Sequence, residues 1–519
     1  MGMTRLLAIV GAALAVTTAS AAEPPAPIRT DAGLLQGVHE DDLVVYRGVP
    51  FAAPPVGDLR WKAPRPVKPW SGARRADALG PACMQSPNDS LGASVSEDCL
   101  YLNIWRPAKA SGALPVMVFV HGGGFTAGSG DQPILAGDNL ARHGVIAVTV
   151  NFRQGPFGFL ALPELSRESG KGSGDYGVMD VIAALKWVRA NARALGGDPG
   201  RVTLFGNSSG SGMVSLLLAS PQARGLFSRA IGESNGLFAP LWRPGNVIPL
   251  DGAEYLGGTW RKAVGAADLA ALRRMPSEAL MKQPGTWWPV IDGEVLTEPP
   301  YFTFSKGRQA DVPTLVGNNA TEGVFFLGPN PPITVAEWRK QLDQIAGDKA
   351  AQAEAVYPFQ TDQEAYWSRA KFITDSDCAW HTWTWAKLQS RTGHAPIRVW
   401  RLEQPWPAAD PEKRKLMGTP HVAEVFYVFQ HYDPMDGTMA WTDADRRLGE
   451  MMSSYWTNFA KTGDPNGPGL PQWPAFREDR QVLLRIKARP ELGSPDLEHM
   501  QLIDAWMAEA RAPGFKPPG

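Results

Sequence analysis

The chain has 519 residues, with 51 Lys+Arg against 52 Asp+Glu and a formal net charge of −1. A 44% apolar and 20% charged composition excludes a disordered chain, and the balanced charge gives no electrostatic basis for nucleic acid or an anionic membrane as a partner. Gly (54) and Pro (46) are frequent and dispersed, which predicts many turns and long loops rather than a helical bundle.

Residues 1–22 carry one charge, Arg5, then an apolar run over 6–16 and the small residues Ala19-Ser20-Ala21-Ala22. This pattern predicts a secretory signal peptide cleaved after Ala21 or Ala22, and hence an exported protein, periplasmic or secreted. No later stretch approaches the about 18 apolar residues of a membrane span, so none is expected after signal removal. Residues 23–519 are expected to form one domain, and monomer and dimer stay equally open.

Export permits disulfides. Cys83 and Cys99 flank a polar loop, and a bridge between them would close about 16 residues and stabilise by roughly 3 kcal/mol in the chain-entropy account. Two reduced thiols are the alternative, which the export signal disfavours. Cys378, in a Trp-rich segment, reads as a small buried hydrophobe. The eight His are scattered and no Cys/His cluster has metal spacing, so neither a metal nor another cofactor is expected.

Apolar, strand-like segments recur at 43–46, 116–120, 145–150, 202–205, 229–231, 314–316 and 397–400, with helical patterns at 181–195 and 444–461. Wholly apolar strands alternating with helices predict an α/β fold: a large, mostly parallel sheet covered on both faces, with long insertions.

Two Gly-x-Ser-x-Gly segments occur, Gly206-Asn207-Ser208-Ser209-Gly210 and Gly232-Glu233-Ser234-Asn235-Gly236. A nucleophile elbow needs a strand before the Ser and a helix after it. The strand 202–205 precedes Ser208, and no Pro follows until Pro221. After Ser234, Pro240 and Pro244 exclude a long helix. Ser208 is therefore the candidate nucleophile, and Ser234 a strand-end residue. The strand 118–120 runs into His121-Gly122-Gly123-Gly124-Phe125. Glycines let backbone N–H groups approach a developing oxyanion, so Gly123, Gly124 and the Ser209 N–H are the candidate oxyanion hole.

These segments resemble the type B carboxylesterases of the α/β-hydrolase fold, the family of para-nitrobenzyl-esterase-like enzymes and cholinesterases. The resemblance extends to Tyr46-Arg47-Gly48-Val49-Pro50-Phe51, Glu97-Asp98-Cys99-Leu100-Tyr101-Leu102-Asn103, Gly196-Gly197-Asp198-Pro199 and Trp456-Thr457-Asn458-Phe459. It implies a gorge built by the insertions, and a Cys83–Cys99 disulfide. It also implies Glu322, in Asn319-Ala320-Thr321-Glu322-Gly323, as the acid of the triad, and His421, in Gly418-Thr419-Pro420-His421, as the base. The order Ser, Glu, His is that of the fold. A small-molecule ester is the implied substrate and an acyl-enzyme on Ser208 the implied intermediate. A silent cholinesterase-like binding protein, or a specialised lactone, polyester or toxin-ester hydrolase, is the alternative.

Around the substrate the resemblance places Phe125, Gln283, Gly285, Trp287, Phe325 and Phe326. Gln283 and Gly285 fall where cholinesterases carry bulky Phe, and the Cys83–Cys99 loop has no Trp to stack on quaternary ammonium. Choline esters are therefore not the expected substrates. Before the nucleophile the family has Glu; here stands Asn207. Asn207, Ser234 and Glu424 are expected to form a buried network that orients His421, with Glu424 as its one carboxylate.

Overall fold

A computed structural model describes residues 24–86, 94–241, 246–328, 333–432 and 438–512. The expected signal segment, and residues 87–93 of the Cys83–Cys99 loop, lie outside them. All seven expected strands form, within an 11-stranded sheet. In chain order these are β1 (Val38–Glu40), β2 (Leu43–Pro50), β3 (Tyr101–Pro107), β4 (Leu114–Val120), β5 (Ile146–Val150), β6 (Gly197–Asn207), β7 (Arg229–Glu233), β8 (Thr314–Asn319), β9 (Ile397–Leu402), β10 (Leu483–Ile486) and β11 (Glu491–Gly493). Across the sheet they run β11-β10-β9-β8-β7-β6-β4-β5-β3-β2-β1. From β10 to β5 all neighbours are parallel; β1, β2 and β3 add an antiparallel edge at one side and β11 at the other.

The parallel strands are apolar throughout because both faces are covered. Alternate residues of β4 serve two cores: Val116, Val118 and Val120 face one, Met117 and Phe119 the other. The first core receives α1 (Tyr176–Asn191) and α2 (Ser209–Ala219) through Val181, Leu185, Val214 and Leu217. Further helices are α3 (Glu322–Leu327), α4 (Asp362–Thr374), α5 (Trp380–Thr392), α6 (Ala423–Phe429) and α7 (Asp443–Thr462). The second core receives Leu448, Met452, Tyr455, Trp456 and Phe459 of α7. A capping box of Thr442 and Asp445 starts α7, and Gly463, at φ +84°, ends it.

Cys83 and Cys99 are disulfide-bonded and Cys378 is a buried free thiol. Among the described residues no helix is long and apolar enough to cross a membrane.

Candidate active site

The C-terminal ends of β6, β7 and β8 open beside one another, and each strand hands its chain to a site residue. β6 ends at Asn207 and α2 begins at Ser209, so Ser208 is the whole connection, with φ +57° and ψ −126°. Such a conformation is costly for a residue with a Cβ, and the neighbours enforce it. The Ser208 N–H donates to the Glu233 carbonyl at 2.8 Å. A Cβ on Gly210 would lie 2.1 Å from the Val120 carbonyl oxygen, and one on Gly206 would lie 2.7 Å from the Gly210 backbone. The two motif glycines thus let strand and helix close on each other. A Cβ on Gly122 would meet the Ser208 Cβ at 2.9 Å, so the glycine loop after β4 lies directly against the elbow. Gly123 and Gly124 have positive φ, +114° and +64°. The second Ser motif has no helix behind it; Ser234 follows β7 with φ +63°.

Glu322, the first residue of α3, accepts from the Asn319 N–H at 2.6 Å through Oε1, and its Oε2 lies 2.5 Å from His421 Nδ1. Both side chains are buried. The chain around Glu322 and that around His421 are tied together. The Thr321 N–H donates to the Thr419 carbonyl at 3.0 Å, the Thr419 N–H to Thr321 Oγ1 at 2.6 Å, and Asn319 Nδ2 to the Pro420 carbonyl at 2.9 Å. The other imidazole nitrogen, Nε2, is buried and has no hydrogen-bond partner. His421 and Ser208 share one cavity of about 530 Å³, whose wall also holds Gly122, Gly123, Gly124 and Ser209. A larger groove of about 1020 Å³ along Trp61 and Lys62 contains none of these residues.

Burial works against the imidazolium of His421. The charge and hydrogen bond of Glu322, with the charge of Glu424, outweigh it and raise the pKa above the ordinary value. His121, at the start of the glycine loop, is pushed down to about 4 by burial and stays neutral.

Asn207 is buried and its Nδ2 donates to Glu424 Oε1; Asn319 Nδ2 donates to Oε2, and Ser234 Oγ reaches Oε1 at 3.4 Å. The expectation of a single carboxylate is corrected here. Glu233, the last residue of β7, is fully buried close enough to Glu424 for their charges to repel, and receives Trp456 Nε1 at 2.6 Å. Both carboxyls are held above their usual range, chiefly by burial, then for Glu233 by the charge of Glu424 and for Glu424 by that of Glu322. Asn319 and Glu233 escape sequence reasoning because strand ends from three parts of the chain bring them in.

Phe325 and Phe326 stand half-exposed in the cavity wall, their rings 5.4 and 4.9 Å from the His421 ring. The other expected substrate contacts do not line the cavity. Trp288 takes the place expected of Trp287, whose ring turns away to meet Trp260 edge-on at 5.2 Å. Adjacent side chains on extended backbone point opposite ways, which separates the two. Gly285 is backed by the Trp287 ring, and the Gln283 carbonyl accepts from Trp260 Nε1 at 3.0 Å. Phe125 is fully buried behind Trp288, 5.6 Å between ring centroids. The sequence signs of a wider acyl side therefore fall on residues away from the wall. Cys378 does line the cavity.

A parallel-centred sheet with a serine elbow at its C-terminal edge, and a buried carboxylate–imidazole pair beside it, defines an α/β-hydrolase. The chain matches the carboxylesterase family over residues 24–502. It belongs to that family and is a carboxylic ester hydrolase. It is 37% identical to a fumonisin B1 esterase of Sphingopyxis macrogoltabida, over 91% of this chain and 88% of that protein. It is 32% identical to the para-nitrobenzyl esterase of Bacillus subtilis (strain 168), over 92% and 98%, and 33% identical to a phenmedipham hydrolase of Pseudarthrobacter oxydans, over 88% and 94%. Solved structures of a PNB esterase and a thermophilic PNB esterase superpose with TM-scores of 0.79 and 0.81, each at 32% identity over 92% of this chain and 99% of theirs.

Proposed function

We propose that the protein is an exported serine esterase acting on neutral carboxylic esters, with Ser208 as nucleophile, His421 as general base and Glu322 as the carboxylate that orients it. One observation carries the reading: His421 and Ser208 line the same cavity, and the imidazole has Nδ1 held by Glu322 and Nε2 without a partner. In this reading His421 takes the Ser208 proton as Oγ attacks the ester carbonyl. The N–H groups of Gly123, Gly124 and Ser209 receive the oxyanion, and the imidazolium returns its proton to the leaving alkoxide. Water then repeats the sequence on the acyl-enzyme. Export rests on the signal-like residues 1–22.

The aromatic wall of Trp288, Phe325 and Phe326 favours an uncharged, aryl or alkyl ester. A panel of p-nitrophenyl, alkyl, lactone and choline esters, with fumonisin B1 included for the 37% relative, tests this. Aryl and alkyl esters should show the highest kcat/KM. A higher kcat/KM for butyrylthiocholine than for p-nitrophenyl butyrate would refute it. Fumonisin B1 exceeding every simple ester would assign a toxin-ester hydrolase instead.

The base must be neutral to accept a proton, and the pKa of His421 is raised. Activity should therefore fall as pH drops, with a midpoint above the ordinary imidazole value of about 6.5. Asn207→Glu removes a donor from Glu424 and adds a carboxyl; so far as that carboxyl ionises, it favours the imidazolium and moves the acidic limb of kcat/KM upward. An unchanged limb in Asn207→Glu would count against the network acting electrostatically, and a flat profile down to about pH 4 against His421 as base.

A further inference from the structure

We propose that Glu322, Cys378 and His421 form a binding site for a soft divalent cation such as Zn²⁺ or Cd²⁺, and that its occupation switches the esterase off. The inhibition rests on the reading of His421 as base; the binding does not.

Three sequence-distant elements supply the ligands, which is why no metal spacing appears in the sequence. Glu322 opens α3 and His421 precedes α6. Cys378 sits on a π-turn, Asp375–Ala379, that joins α4 to α5. A π-turn inserts an extra residue and displaces side chains from the helical line; here Ser376, Asp377 and Cys378 enter the cavity wall. One donor atom from each of the three residues lies within 4.8 Å of the other two. Tetrahedral zinc, with bonds of about 2.0–2.3 Å, holds its ligands about 3.5 Å apart, so an ion on Nδ1 must replace the 2.5 Å contact between Glu322 Oε2 and His421 Nδ1, opening that pair by about an ångström. A thiolate, an imidazole and a carboxylate are the donors such ions select. Cys378 and His421 line the cavity, which gives an ion a path to two of the three ligands, while Glu322 lies buried behind them.

Charge balance favours the bound state. On binding, the thiol proton leaves to solvent. The thiolate and the Glu322 carboxylate then carry two negative charges against the two positive charges of the ion. Either mode of imidazole ligation disables the base. An ion on Nε2 occupies its lone pair, and an ion on Nδ1 leaves the ring proton on Nε2.

The test uses the whole chelator-treated protein. Cys83 and Cys99 are bonded to each other, and the sequence has three Cys, so Cys378 is the one free thiol. A cadmium–thiolate charge-transfer band in the ultraviolet therefore reports on it alone. Cd²⁺ should produce that band in wild type and in the inactive Ser208→Ala protein. Zn²⁺ and Cd²⁺ should suppress ester hydrolysis reversibly, with recovery on adding chelator, while Mg²⁺ and Ca²⁺, which prefer oxygen ligands, should not. Cys378→Ala should lose the band and need at least about tenfold more Zn²⁺ for half-inhibition, each protein measured against its own metal-free rate. No band in the Ser208→Ala protein, or unchanged Zn²⁺ sensitivity in Cys378→Ala, would overturn the site. A band with turnover undiminished would place the ion on Cys378 without His421 and overturn the three-ligand site, leaving the role of His421 to the pH profile.

Discussion

Ser208→Ala should abolish p-nitrophenyl ester turnover and end labelling by a fluorophosphonate, whereas Ser234→Ala should still be labelled. Both serines follow parallel strands in Gly-x-Ser-x-Gly segments, both have positive φ, and both line the cavity. The difference lies in what stands behind them. Ser208 is the single residue between β6 and α2 and abuts the glycine loop, whose N–H groups are the proposed oxyanion donors. The Ser234 hydroxyl reaches toward Glu424, a carboxyl already engaged by the amides of Asn207 and Asn319, and among the described residues no imidazole stands beside that hydroxyl as base in a hydrogen bond. Removing a nucleophile of this kind costs on the order of 10⁶ in kcat. Labelling that survives in Ser208→Ala and vanishes in Ser234→Ala would reverse the assignment.

Glu322→Gln should lower kcat by about 10⁴ while leaving Ser208 in place. The carboxylate accepts from Nδ1–H, which fixes the tautomer whose Nε2 is left free. A Gln amide turned toward Nδ1 offers an N–H instead, so the ring proton moves to Nε2 and the base is lost. The imidazolium formed during attack also loses its counter-charge. Stopped assays with a p-nitrophenyl ester, together with a thermal melt to establish folding, read the effect. A folded Glu322→Gln enzyme within about tenfold of wild type would show that another group orients His421.

The sequence was most informative where chemistry and local structure coincide along the chain. The strand before Ser208, the motif glycines and the Pro-free stretch after it together specify an elbow, and each apolar run became a strand because burial on both faces demands apolar residues at every position. Glu322 and His421, 99 residues apart, carry no mutual signal and came only from the family resemblance. The network around Glu424 was half legible: Asn207 and Ser234 adjoin recognisable motifs. Glu233 reads like any strand residue until β7 is seen to end against Glu424, and Asn319 is defined by the turn into α3. The acyl side was misread by one position, because irregular extended chain gives no periodicity to decide whether Trp287 or Trp288 faces inward. Cys378 read as buried, which it is, but the π-turn that carries it to the cavity has no sequence mark.

The strand ends and the wall above them are built from different material. In the elbow and the glycine loop an added methyl group has no room at Gly122, Gly123, Gly206 or Gly210. Trp288 comes from a separate segment, and Phe325 and Phe326, although on the same helix as Glu322, project half into solvent. Substitution at Phe325 or Phe326 therefore meets far less steric resistance than substitution at the elbow.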